Sequence, residues 1–184
     1  MIRIFDILFA FIGLVLAFPI LLIIFIIGLF DTGSPIFCQE RLGKGMRPFT
    51  LIKFRTMPLN TPSVASHLAS PSSITTLGKY LRKTKLDELP QLINVLKGDM
   101  SLVGPRPNLA TQQELIRERL GRGVYDVAPG ITGLAQINGI DMSTPKLLSE
   151  TDLKMINGLG VKEYFRLILL TLVGKGAGDA VSKK

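Results

Sequence analysis

Several common catalytic tools are scarce or missing in this 184-residue sequence. It holds one cysteine (Cys38), one histidine (His67) and no tryptophan. A single cysteine excludes an internal disulfide framework and any paired-cysteine metal knuckle. A single histidine excludes HExxH zinc sites and leaves a Ser-His-Asp triad without support. Neither GxxxxGK[ST] nor GxGxxG occurs, so the usual nucleotide-cradling loops are missing. Acids are outnumbered, 14 Asp+Glu against 22 Lys+Arg, for a formal net charge of +8. A catalyst built from this chain must therefore work mainly with carboxylates, arginine, lysine and hydroxyls. At 47% hydrophobic residues, the sequence is too apolar for a disordered basic tail. The combination points to a membrane and implies no nucleic-acid partner. The length allows one domain and hardly two.

From Ile7 to Phe30 no residue is charged. A bilayer core needs about 20 apolar residues as helix, and this run is long enough. It is longer than the h-region of a cleaved signal peptide and ends in the turn 31–35 rather than a small-residue cleavage site. Pro19 stands in its middle, where a proline removes one helix hydrogen bond and kinks the axis. Residues alone leave two arrangements open, a kinked span and a helix-break-helix hairpin that enters and leaves by one face. Arg3 precedes the run, and Arg41, Lys44, Arg47, Lys53 and Arg55 follow it, so the positive-inside rule puts the body in the cytoplasm either way. A lone cysteine agrees with a reducing compartment.

Residues 36–57 read as two short strands around Gly43-Lys44-Gly45, with Phe49, Leu51 and Phe54 as β-prone positions. Residues 58–76, rich in Ser, Thr and Pro, read as a mobile loop that carries His67 as a surface residue. Leu77, Tyr80, Leu81 and Thr84 fall at helical spacing among Lys79, Arg82, Lys83 and Lys85. They predict a basic amphipathic helix suited to anionic headgroups. Leu89, Leu92, Ile93 and Leu96 predict a further helix that stops at Gly98, with Asp87 at its N-cap and Glu88 and Pro90 in its first turn. Asp87 reads equally as a plain cap or as one of two adjacent carboxylates that share a hard cation.

The segment Val103-Gly104-Pro105-Arg106-Pro107 confines Arg106 between two prolines, a rigid mount for a phosphate-binding guanidinium. Residues 129–139 read as a second glycine loop running into a short apolar strand. Residues 161–173 predict an interfacial or core helix, and 174–184 a flexible basic tail.

The pieces GSPIFCQERLGKG, FTLIKFRTM, LGKYLRKTKLDELPQLINVLKGDMSLVGPRP and APGITGLAQING, in this order behind an apolar front end, resemble the bacterial sugar transferases that are small monotopic phosphoglycosyl transferases. The resemblance covers most of the chain, and KFRTM, LDELPQ, GDMSLVGPRP and PGITG are very specific as a set. It implies a mostly α fold with short β-strands (α+β). Residues 1–30 would be a re-entrant membrane helix-break-helix bent at Pro19. Residues 31–173 would form a small cytoplasmic catalytic domain with interfacial amphipathic helices.

The implied reaction takes a phosphosugar from a UDP-sugar to undecaprenyl phosphate and releases UMP through a covalent phosphosugar-aspartate, with Mg²⁺. Carried over residue by residue, Asp87 is the nucleophile and Glu88 its partner, both near the metal. Lys53, Arg55, Arg106, Gly130, Thr132 and Asp152 are implied on the substrate side. The implied location is the cytoplasmic face of the bacterial inner membrane, among phospholipids, with a second copy of the chain as a further partner. The sequence departs from the family pattern at Phe18, where serine is usual, and at Ala128, where a basic residue is frequent. It departs again after Asp152, where Leu153-Lys154-Met155-Ile156 replaces the tyrosines. A membrane-anchored basic binding protein without chemistry is the competing reading. It explains the front end and the charge, but not the acid pair beside VGPRP.

Overall fold

The computed structural model describes residues 2–61 and 71–176. Residues 62–70 of the expected 58–76 loop, His67 among them, and residues 177–184 of the expected tail lie outside them. Among the described residues helix dominates, with four short strands in two separate two-stranded sheets, so the architecture is α+β as the resemblance implies.

Helix α1 (Ile2–Asp31) is a single element with Pro19 inside it. The expected break is thus not an interruption of helix. A proline deletes one backbone bond while the turns on either side keep theirs. Packing also continues across it, with Ala10 and Leu14 before Pro19 and Leu21 and Ile24 after it resting on the body. Asp6, Ala10, Ile24 and Gly28 are buried, at spacings that keep one stripe of the helix on the body along its length. The remaining faces are apolar and exposed, including Leu16, Phe18 and Phe30 at 74%, 63% and 87% of full exposure.

The expected hairpin is present. Strands β1 (Ile36–Leu42) and β2 (Pro48–Phe54) pair antiparallel with Cys38 opposite Ile52. Helix α2 (Thr76–Thr84) is capped by the Thr75 hydroxyl, which accepts from the Gly78 amide at 2.9 Å. Leu81 is its buried anchor, whereas Tyr80, expected on the same face, is exposed. Helix α3 (Gln91–Lys97) ends at Gly98, whose φ of 95° closes the Asn94 and Val95 carbonyls as anticipated. Its start differs from expectation. Lys85 adopts a left-handed conformation that ends α2, and Leu86–Glu88 form a separate 3-10 turn. Pro90 then caps α3, so Asp87 lies in the turn between the helices and caps neither.

Strands β3 (Ser101–Val103) and β4 (Gly130–Thr132) pair in parallel. The residues after β4, expected as a strand, are the helical turn α5 (Leu134–Ile137). The parallel pairing is satisfied within 130–132, and the chain turns away at Gly133. Helices α4 (Gln113–Leu120) and α6 (Pro145–Gly158) are not among the anticipated elements. Helix α7 (Val161–Leu172) fulfils its expectation, burying Tyr164 and Leu167 and exposing Leu169 and Leu172. One core joins α1, β2 and α3 through Ala10, Leu51, Leu92, Val95 and Met100. A second joins β3, α6 and α7 through Val103, Met155, Tyr164 and Leu167. The candidate site lies at the seam between these parts.

Candidate active site

The loop after β3 has few hydrogen-bond donors of its own, because Pro105 and Pro107 have no N–H. Its carbonyls are instead gripped from outside, one after another. The Gly130 amide donates to Pro105 O at 2.9 Å, and Arg119 Nη1 donates to Arg106 O at 2.8 Å. Arg41 Nη1 donates to Pro107 O at 3.2 Å, and the Leu42 amide to Asn108 O at 2.9 Å. Gly104 and Gly130 make the fit possible. A Cβ on Gly104 would stand 2.6 Å from Ala128 O, and one on Gly130 would stand 2.0 Å from the Gly104 nitrogen. The expectation of a rigidly mounted Arg106 thus holds, with the rigidity coming from four outside donors as well as from two prolines.

Arg106 Nη2 donates to Glu88 Oε1 at 2.6 Å, a half-buried pair that ties this loop to the turn between α2 and α3. Asp87, next to Glu88, is 6% exposed. Burial, with the adjacent Glu88 charge, pushes its carboxyl up to about 6, against the pull of Lys53, Arg82 and Arg106. Glu88 goes the other way. Burial pushes it up, but the charge and hydrogen bond of Arg106, together with Lys53 and Lys85, hold it below the ordinary glutamate value. Lys53 on β2 is pushed down to about 8 by burial, only partly offset by Asp87. Arg41 is lowered to about 10 by burial and by Arg106. Lys85 is also lowered by burial, with Glu88 pulling it back. Two carboxylates therefore share a partly desolvated site with Arg41, Lys53, Arg82, Lys85 and Arg106. The excess of positive charge suits a ligand carrying two or more negative charges.

The other expected site residues have structural partners. Arg55 donates from Nε to Ser34 O at 2.7 Å and from Nη2 to Ile36 O at 3.1 Å, which pins the start of β1. Its guanidinium and the Lys53 ammonium both lie over the Phe37 ring, at 5.3 and 5.4 Å. Gly130 holds the loop through its amide and through its lack of a side chain. The Thr132 hydroxyl meets that of Thr171 on α7 at 2.6 Å. Asp152 on α6 is fully buried, and its Oδ2 accepts from Arg119 Nη2 at 2.7 Å and Nε at 3.1 Å.

Sequence reasoning missed Arg41, Arg82, Lys85 and Arg119 as members of the site. It also missed Asp6, whose Oδ1 accepts from Ser101 Oγ (3.0 Å), the Leu102 amide (2.9 Å) and Tyr164 OH (2.8 Å). A charged residue at the edge of an apolar run was the one signal that could have found Asp6.

Among the described residues, no group of three or more His, Cys, Asp or Glu comes together. Mg²⁺ does not need one. It is commonly held by one or two carboxylates, with substrate phosphates and water completing an octahedron. Asp87 and Glu88, side by side among phosphate-suited cations, fit that mode.

An acid pair, an arginine whose loop carbonyls are clamped and a long apolar helix thus stand together on one small body. The sequence model for bacterial sugar transferases matches residues 1–175, and the chain belongs to that family. Among relatives, it is 42% identical over 141 residues to the uncharacterized sugar transferase EpsL of Bacillus subtilis (strain 168), covering 76% of this chain and 69% of that one. It is 39% identical over 180 residues to a UDP-glucose:undecaprenyl-phosphate glucose-1-phosphate transferase of Klebsiella pneumoniae, covering 92% and 39%. It is 36% identical over 184 residues to a UDP-N-acetylgalactosamine-undecaprenyl-phosphate N-acetylgalactosaminephosphotransferase of Aeromonas hydrophila, covering 94% and 44%. The match thus spans less than half the length of the last two.

Proposed function

We propose that this protein is a phosphoglycosyl transferase that moves a phosphosugar from a UDP-sugar to undecaprenyl phosphate. The observation that carries the reading is the buried Asp87 carboxylate, set among Lys53, Arg82 and Arg106, on the same body as the apolar helix α1. The names of the Klebsiella and Aeromonas relatives support it.

In the first step an Asp87 carboxylate oxygen attacks the phosphorus that bears the sugar. The bond to the bridging oxygen breaks, and that oxygen leaves with its electron pair as part of UMP. In the second step a phosphate oxygen of undecaprenyl phosphate attacks the same phosphorus. The acyl-phosphate bond breaks, Asp87 is restored as a carboxylate, and a lipid diphosphate sugar leaves. One phosphoanhydride is broken and one is made, so no nucleoside triphosphate is consumed. The covalent intermediate divides one difficult transfer into two. Burial keeps Asp87 poorly solvated and thus ready to attack, while Lys53 and Arg106 stabilise the oxygens as charge shifts. Glu88 keeps Arg106 aimed at the site. Asp87 and Glu88 would hold Mg²⁺, which supplies Lewis-acid neutralisation of the diphosphate.

We further propose that α1 keeps both ends on the cytoplasmic side of the inner membrane. Support comes from its attachments at each end. Arg3 donates to Leu96 O and Met100 O, each at 3.3 Å, and Asp6 is buried against β3 and α7. At the far end the Asp31 carboxylate accepts from the Thr75 hydroxyl at 2.8 Å, and Gly28 is buried against Pro35. A straight 30-residue helix is about 45 Å long. A span would carry Arg3 and Asp6 across the bilayer, far from the groups they bond.

The test is UMP release by the purified protein in detergent with undecaprenyl phosphate and a panel of UDP-sugars. At least one UDP-sugar should give UMP, EDTA should stop its release and added Mg²⁺ should restore it. No UMP from any member would favour the binding-protein reading, and full activity in excess chelator would remove the metal.

A further inference from the structure

The four outside donors to residues 105–108 are not equal. Two are backbone amides, and two are buried arginines. Of these, Arg119 is 2% exposed and carries four hydrogen bonds on three nitrogens. Asp152, at 0% exposure, takes its Nε and Nη2 on a single oxygen. That leaves Nη1 aimed at Arg106 O (2.8 Å) and Asn108 Oδ1 (2.9 Å). Tyr125 OH donates to the same Asn108 oxygen at 3.0 Å, so the position of Asn108 is fixed from two sides. From α4 the guanidinium thus bonds the loop after β3 and α6, and Tyr125 in the turn at 124–126 backs Asn108, which leaves it little freedom to turn.

We propose that Arg119 is a positioning residue for the transfer reaction. Oriented by Asp152, it holds the main-chain carbonyl of Arg106, and so sets where the Arg106 guanidinium meets Glu88 and the substrate phosphate. This rests on the phosphoglycosyl reading and adds to it a role for Asp152, which sits behind the loop and acts through Arg119. A loop with prolines on both sides of Arg106 cannot supply the missing donor itself, because only Arg106 has an N–H between Gly104 and Asn108. Arg119→Lys keeps the charge but loses the planar fork that serves Asp152 and the carbonyl together.

A double-mutant cycle separates positioning from mere packing. kcat/KM for UMP release is measured for the wild type, Arg119→Lys, Arg106→Gln and the double variant, with thermal melts of each. Arg119→Lys should lower kcat/KM by about tenfold or more in the wild-type background. In the Arg106→Gln background the further loss should be about twofold or less, since the residue being positioned is already gone. Should Arg119→Lys fail to fold, Asp152→Asn takes its place in the same cycle, with the same expectation. Equal losses in both backgrounds would overturn the proposal and leave Arg119 a core residue. The cycle is read in parallel on the dissociation constant for UDP, which needs no turnover. An inactive wild type would then count against the phosphoglycosyl reading, while the UDP cycle still decides the positioning role.

Discussion

Asp87 is a carboxylate kept where a charge is costly to keep. With its carboxyl pushed up to about 6 from 3.8, the protonated form is the one that folding favours. The penalty is absent well below pH 3.8, grows as pH rises from there toward 6, and is complete at pH 7. Metal-free Asp87→Asn protein should therefore melt above the wild type at pH 7, by an amount equivalent to on the order of 2 kcal/mol. The gap should shrink as pH falls through 6 and close only below pH 3.8, at about pH 3, and UMP release should be lost throughout. Melting curves across that range check it, and an Asp87→Asn protein that is less stable at pH 7 would contradict it. At this scale the sequence was legible where chemistry is packed into adjacent residues, as in Asp87-Glu88 and Pro105-Arg106-Pro107. It was not legible for Arg119 or Asp6, whose carboxylate and hydroxyl partners lie 33 and 95 or more residues away. Arg119 has no local pattern that announces a buried charge, and the one local sign at Asp6 is its place at the edge of the apolar run.

Among the elements, those with a strong period or a firm stop could be read in advance. The β1–β2 hairpin announced itself through its glycine turn, and α3 through Leu92, Leu96 and Gly98. Helices α4 and α6 are masked by their charged and polar content, and only their buried sides (Leu115, Ile116, Leu148, Met155) carry the helical signal. For α1, hydropathy picks out one long apolar helix as a property of composition, but not where its ends go. In the proposed arrangement that is decided by Arg3 and Asp6, which bond the body near the start of the helix, and by Asp31 at its end. With Ile2→Cys in a Cys38→Ser background, an impermeant thiol reagent should label the protein only after cells are lysed. Labelling of intact cells would place the N-terminus outside and restore the spanning helix. The exposed Cys38 must be removed because it would react in the lysate.

At the scale of the whole molecule, one small body brings together two solvents. Its outer α1 faces and the end of α7 expose Phe18, Phe30, Leu169 and Leu172, while its site gathers cations around two carboxylates. In the proposed reaction a water-soluble nucleotide sugar and a lipid phosphate each reach Asp87 in turn. The most direct measurement is rapid-quench UMP release from the reactive UDP-sugar with the lipid acceptor left out, followed by mass analysis of the intact protein. The expected result is a burst of UMP approaching one equivalent per enzyme. One phosphosugar should be added at Asp87 and discharged when undecaprenyl phosphate is supplied. UMP formation that strictly requires the acceptor, with no added mass on the protein, would contradict the covalent two-step transfer.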